Sequence, residues 1–289
     1  MAPLRYGGVV VGVVVVVGGG TMGAGIAEVL ISAGRRVVLC ETNPEAAEQA
    51  RARVVRGVER ALERAGGGAT AVGDPLDLLE VVSGVPDRVD ALLAIEAVFE
   101  DPDLKRNVLR EIETRVPADA IIASNTSSLS IGGLAAGLSR PERFLGMHFF
   151  NPVPRSALVE LVTGPETTPS VVERAREWVH LLGKEEIVVR DSPGFATSRL
   201  GVAIGLEAIR MLEEGVASAE DIDRGMVLGY RFPMGPLRLT DLVGLDVRLA
   251  VAEYLERTLG ERFAPPALLR QKVAAGELGK KTGQGFFTW

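Results

Sequence analysis

The chain has 289 residues, of which 47% are hydrophobic and 24% charged, with a formal net charge of −6. That balance is the one of a soluble globular protein with room for one large or two medium domains. A net charge of this sign gives no support to a nucleic-acid partner, for which a basic stripe would be expected.

The first element is a valine-dominated run from Val9 to Val17, far shorter than the roughly 20 apolar residues of a membrane span. One arginine before it, Arg5, and no cleavage site after it argue against a secretory signal, so it is expected to form a buried strand, with no membrane partner. It leads into Gly18-Gly19-Gly20-Thr21-Met22-Gly23 and then a helical segment, Ala24 to Ala33, closed by Gly34. Gly18, Gly20 and Gly23 form the G-x-G-x-x-G pattern, whose glycines permit the turn, the approach of a pyrophosphate and close helix–strand packing. The competing reading is a glycine-rich turn without a ligand, since the chain has 34 glycines. Context favours the dinucleotide. A second strand, Val37 to Cys40, ends in Glu41, about 20 residues beyond the turn, where an acid holds ribose hydroxyls and repels a 2′-phosphate. The expected cofactor is therefore NAD. Cys40, the single cysteine, is expected to be a small buried hydrophobe, and the cytoplasm is the simplest compartment.

Asn43 and Pro44 predict the start of a helix running to about Arg64, with Arg51, Arg53, Arg56 and Arg60 on one face. That face is either a solvated helix side or a docking surface for an anion. Gly66-Gly67-Gly68 is expected to end the helix, and the segment up to Val85 to be irregular. Asp90 to Val98 reads as a strand buried on both faces, carrying Glu96 near its end, followed by a helix from about Pro102 to Arg115 that bears Lys105. Ala120 to Ala123 leads into Ser124-Asn125-Thr126-Ser127-Ser128, and Arg143 to Phe149 carries His148. Leu158 to Val162, a helix from about Pro169 to Leu182 and a last strand, Glu186 to Val189, follow. Strands alternating with helices predict a doubly wound, mostly parallel, Rossmann-like sheet with its ligands beyond the carboxyl ends of the strands.

Beyond Asp191-Ser192-Pro193-Gly194 the periodicity becomes helical, over about 195–214, 218–228, 237–258 and 265–275. We expect a nucleotide-binding domain over 1–190 and an all-helical domain over 191–289. Moving a hydride from an alcohol requires moving its proton as well, and histidine is suited to that near neutrality. Only His148 and His180 are present. His180 sits mid-helix without a catalytic pattern. His148 sits at a strand end with Glu160 in the next strand, where an acid can fix its tautomer and stabilise the imidazolium. The alternative is a core histidine beside an unrelated glutamate.

The run from Gly18 to Ala27, Ile95-Glu96-Ala97-Val98-Phe99-Glu100 with Lys105, Ser124 to Ser128 and His148-Phe149-Phe150-Asn151-Pro152-Val153-Pro154 together resemble the L-3-hydroxyacyl-CoA dehydrogenases. Pro193-Gly194-Phe195, Pro233 to Leu237 with Asp241, Gly244-Leu245-Asp246 and the run from Lys281 to Phe287 extend the likeness over nearly the whole chain. The resemblance implies NAD-dependent oxidation of an L-3-hydroxyacyl-CoA, short-chain by default, or the reverse reduction. It implies His148 as base, Glu160 as its partner acid and Ser127 as a hydrogen-bond donor to the substrate oxygen. Thr21 and Met22 in the glycine turn, Glu96, Lys105, Ser124 and Asn125 are the positions it places around the cofactor, and it assigns no metal. It further implies a homodimer through the helical domain and an acyl-CoA in the cleft between domains, with the basic helix docking the CoA phosphates. One departure stands out: Ser198 precedes Arg199 where the family has asparagine, and a hydroxyl reaches less far than an amide. The rival readings are a same-scaffold dehydrogenase of a free hydroxy acid or sugar acid and a non-catalytic nucleotide-binding protein.

Overall fold

A computed structural model describes residues 5–6, 9–10, 12–64 and 74–289. The chain divides into two compact units, Met1–Asp191 and Ser192–Trp289, each built on its own apolar core.

In the first unit the valine run does not form one strand. β1 (Arg5–Tyr6) and β2 (Val9–Val10) pair with each other, β3 takes only Val13–Val17, and Val11 lies outside the described residues. Val14, Val15 and Val16 are fully buried in β3, which explains an unbroken apolar stretch where a half-exposed strand would alternate. α1 (Thr21–Ser32), β4 (Arg36–Glu41) and α2 (Pro44–Arg64) follow. Asn43 caps α2, its Oδ1 accepting from the amide of Ala46 at 2.9 Å, and Pro44 takes a position that needs no amide proton. The turn expected at Gly66 to Gly68 lies outside the described residues.

The expectation of irregular chain up to Val85 is corrected. A short 3-10 turn over Pro75–Leu78 leads into β5 (Leu79–Ser83), which pairs parallel with β4 at the sheet edge. Its alternation is weak because an edge strand buries little. β6 (Ala91–Glu96), α3 (Pro102–Arg115), β7 (Ile121–Ser124), α4 (Ile131–Ala135), β8 (Phe144–Phe149), β9 (Leu158–Thr163), α5 (Pro169–Leu181) and β10 (Glu185–Arg190) complete the unit.

The main sheet has eight strands in the order β10-β9-β8-β7-β6-β3-β4-β5. Every neighbouring pair is parallel except β8 and β9. The segment between them, residues 150–157, is too short for a parallel crossover, which needs about a dozen residues, so the chain returns antiparallel. The fold is the expected Rossmann-like, mostly parallel sheet, and its one antiparallel pair carries the residues of greatest interest.

The second unit contains α6 (Thr197–Glu213), α7 (Ala219–Gly229), α8 (Pro236–Val243), α9 (Leu245–Leu259) and α10 (Ala267–Ala274). The single helix expected over 237–258 is two helices, because Gly244 between them adopts φ +102°, outside the helical range. Asp241, 1% exposed on α8, accepts from the amides of Phe286 and Phe287 at 2.8 and 2.9 Å and from the Trp289 indole at 2.9 Å. Asp246 pairs with Lys281 at 2.5 Å. The motif around residues 281–287 is thus held to α8 and α9 and serves this unit's architecture.

Candidate active site

The turn after β3 fits a dinucleotide on two counts. Gly18 has φ +99°, and a Cβ at Gly23 would lie 1.8 Å from the carbonyl oxygen of Gly18, so both positions need glycine for internal reasons. Gly20 does not: a Cβ there would meet nothing within 4 Å. Gly20 is also the N-cap of α1 and offers no side-chain acceptor to the amides of Thr21, Met22 and Gly23. Open space over uncapped amides is what a phosphate requires. Glu41, at the end of β4, accepts from Gly19 N at 2.7 Å and Thr42 N at 3.1 Å, which holds the carboxylate against the turn.

Glu96, Lys105 and Ser124 lie under the strand ends. Glu96, 0% exposed, accepts from Lys105 Nζ and Val98 N at 2.7 Å each and from Ser124 Oγ at 2.6 Å. Lys105, 1% exposed, also donates to the Val98 carbonyl at 3.2 Å and stands 3.3 Å from Glu100. With their polar atoms turned on one another, these three residues support the crevice from beneath.

Glu100 carries that network outward and is the residue that sequence reasoning left without a role. It accepts from Thr126 Oγ1 at 2.6 Å, from Ser127 N and Oγ at 3.0 and 3.4 Å, and from Ser128 Oγ at 3.3 Å. Burial pushes its carboxyl upward, but Lys105 and the donors from Thr126 and Ser127 outweigh that and hold it below the usual carboxylate range. Its contacts depend on β6 and β7 being neighbours, which no local pattern around residue 100 reveals. Asn125 ties the next junction, donating its amide to the Glu96 carbonyl at 2.8 Å and accepting from Phe149 N at 2.9 Å.

His148 and Glu160 are direct cross-strand partners in the β8–β9 ladder. His148 Nδ1 lies 3.0 Å from Glu160 Oε2, with 7% of the histidine and none of the glutamate exposed. A carboxylate at that position makes Nδ1 the donor and Nε2 the basic nitrogen, the arrangement of a general base with an orienting acid. Phe150 packs on the imidazole with a ring-centre separation of 4.4 Å. His180, by contrast, stands exposed on α5 with its Nε2 2.7 Å from the largely buried Glu186.

Arg53, Arg56 and Arg60 of α2 and Arg155 line a cleft of about 670 Å³ beside Thr21 and Asn151. Arg51 is not among its lining residues. Arg53 also donates to the Gly19 carbonyl at 3.3 Å, so the basic face begins at the nucleotide turn. Ser198 is the second residue of α6, in the second unit.

Two family models match the chain: the 3-hydroxyacyl-CoA dehydrogenase NAD-binding domain over residues 13–192 and the C-terminal domain of the same family over residues 194–289. A 3-hydroxybutyryl-CoA dehydrogenase of Mycobacterium tuberculosis is 42% identical over 277 residues, covering 95% of this chain and 97% of the relative. The crystal structure of (S)-3-hydroxybutyryl-CoA dehydrogenase from Ralstonia eutropha superposes with a TM-score of 0.90 at 40% identity, over 96% of this chain and 99% of the other. A diketoreductase acting on dicarbonyl compounds superposes with a TM-score of 0.83 at 28% identity, over 96% and 99% of the two chains.

Proposed function

Because the chain belongs to the 3-hydroxyacyl-CoA dehydrogenase family, we propose that it catalyses the NAD-dependent oxidation of a short-chain L-3-hydroxyacyl-CoA, such as 3-hydroxybutyryl-CoA, and the reverse reduction. The observation that carries the reading is the buried His148–Glu160 pair at facing positions of β8 and β9. NAD, when bound, accepts the hydride from the substrate carbon. His148 Nε2 takes the hydroxyl proton as the carbonyl forms, and Glu160 stabilises the resulting imidazolium. Ser127, held by Glu100, donates a hydrogen bond to the substrate oxygen. The amides of Thr21, Met22 and Gly23 hold the pyrophosphate, and Glu41 holds the ribose hydroxyls. Ser124, Asn125, Glu96 and Lys105 fix the walls against which the nicotinamide rests.

The acyl-CoA docks its phosphates on Arg53, Arg56 and Arg60, whose cleft lies beside the nucleotide turn. The enzyme is a homodimer through its helical unit, where Leu200, Ile204, Leu239, Leu242, Val243 and Val247 expose an apolar surface on α6, α8 and α9. Among the described residues no helix is long and apolar enough to cross a membrane. We assign the enzyme to the cytoplasm, in keeping with a single buried cysteine whose thiol burial pushes up to about 12.

NADH oxidation measured with acetoacetyl-CoA, beside a free 3-keto acid, tests the reading. Turnover of the thioester far above that of the free acid is expected, and the opposite preference would move the chain to the hydroxy-acid branch. Cofactor choice gives a second check. A 2′-phosphate beside Glu41 costs about 3 kcal/mol, so NADH is favoured over NADPH by roughly 100-fold. Glu41→Ala is expected to narrow that ratio by at least about tenfold. An unchanged ratio, or equal use of both cofactors by the native chain, would remove Glu41 from cofactor selection.

A further inference from the structure

The connector that joins β8 to β9, residues 150–157, is held by a side chain from another part of the sheet. Lys184 stands immediately before β10 and is 7% exposed. Its Nζ donates to the carbonyls of Val153 at 2.7 Å and Ser156 at 2.5 Å. Both acceptors are uncharged main-chain groups, and burial pulls the ammonium below the ordinary lysine pKa. The amide of Glu185 adds a bond to the Ala157 carbonyl at 2.7 Å. Val153 also packs on α1, where a Cβ at Gly25 would lie 3.0 Å from its own Cβ. The connector is therefore pinned between Lys184 and the bare Gly25 position of the nucleotide helix.

What it carries is Arg155. That side chain is exposed, and a tight turn decides where it starts, with the amides of Arg155 and Ser156 donating to the Pro152 carbonyl at 3.0 and 3.1 Å. Arg155 lines the same cleft of about 670 Å³ as Arg53, Arg56 and Arg60, and the carboxylates of that lining are Glu28 and Glu63. α2 thus supplies three guanidiniums and the connector the fourth. Glu28 is tucked against α2, where a Cβ at Gly57 would lie 2.1 Å from its Oε2. Four cations gathered around two carboxylates repel one another and favour an anion in the cleft. Fixing the backbone beneath an exposed arginine lowers the ordering cost that such an anion must meet.

We propose that Arg155 is a fourth contact for the CoA phosphates and that Lys184 is its positioning residue, acting through the connector without touching the substrate. All of these groups belong to the first unit. The inference rests on the reading that this cleft receives the CoA phosphates. In that reading the pyrophosphate of NAD is held by the amides of Thr21, Met22 and Gly23, which leaves the arginines to the thioester.

The test compares reduction of acetoacetyl-CoA with that of acetoacetyl-pantetheine, which has the same reacting group and no phosphate. Arg155→Ala is expected to lower the ratio of kcat/KM for the CoA thioester to that for the pantetheine thioester by about 3- to 10-fold, a charge-assisted contact weakened by screening at an exposed site. Arg155→Lys, which keeps a point charge, is expected to fall between native and alanine. Lys184→Met is expected to lower the ratio to a similar extent, and the double variant to lie within about twofold of Arg155→Ala alone. A native ratio in Arg155→Ala overturns the proposal whatever the lysine variants do. Equal losses on both thioesters in Lys184→Met overturn the positioning role, since they would assign the lysine to the fold or to the His148–Glu160 pair. Losses that multiply in the double variant do the same. A rise in KM for NADH in place of the lowered ratio would give Arg155 to the cofactor instead. Should the methionine variant not fold, Lys184→Gln, whose amide keeps a donor, is expected to show a smaller fall in the same ratio, and a native ratio there overturns the lysine's part. Native enzyme that reduces a free 3-keto acid but neither thioester would instead sink the parent reading.

Discussion

Replacing His148 with alanine is expected to lower turnover by about 10²- to 10⁴-fold, the usual contribution of a positioned general acid or base, while NADH binding stays close to native. In the proposed reading the glycine turn and Glu41 hold the dinucleotide without involving β8, whereas the substrate proton passes through the imidazole. His148→Gln sharpens the result. An amide in that place can still donate to Glu160, which is wholly buried and 3.0 Å from the ring, yet it cannot take and return a proton. Both variants should therefore lose turnover, and the glutamine variant should be the more stable because it keeps a donor to the buried Glu160 carboxylate. Steady-state kinetics in both directions, with NADH binding followed by fluorescence, checks all of this. An alanine variant with near-native turnover would exclude His148 as the proton carrier.

Lys105→Met is expected to destabilise the first unit by about 3–5 kcal/mol, the cost of leaving one member of a buried ion pair alone. Glu96 is fully buried and has Lys105 Nζ at 2.7 Å, so losing the cation strands a carboxylate with only Val98 N and Ser124 Oγ for company. The same cation stands 3.3 Å from Glu100, which gathers Thr126, Ser127 and Ser128. Its loss should therefore loosen the serine loop and raise KM for both substrates. The double variant Glu96→Gln/Lys105→Met, which removes both charges, is expected to recover at least about half of the lost stability. Urea midpoints measure the first effect and the coupling. Additive losses in the double variant would mean that the pair does not act as a unit.

The sequence alone determined the Rossmann-like sheet, the nucleotide turn, the acid at the end of β4 and the pairing of His148 with Glu160. Each of these depends on local pattern: apolar runs, glycine spacing, a residue at a strand end. It also carried, unread, the reason for the antiparallel step, because eight residues between His148's strand and Glu160's cannot make a crossover. Where local pattern was weak or ambiguous, the expectation failed. β5 buries too little to alternate, and helical periodicity ran through Gly244 although its φ of +102° ends α8 there.

Tertiary structure decided what depends on distant neighbours. Glu100 became the hub of the serine loop only when β6 and β7 lay side by side, and Glu96, Lys105 and Ser124 proved to be support because the sheet closes over them. Asp241 reached the run at Phe286 and Phe287 across 45 residues of chain. Packing of α9 against Gly201 and Gly205 buries the guanidinium of Arg248, since burial is a property of the assembled helices and not of the helix that carries the residue.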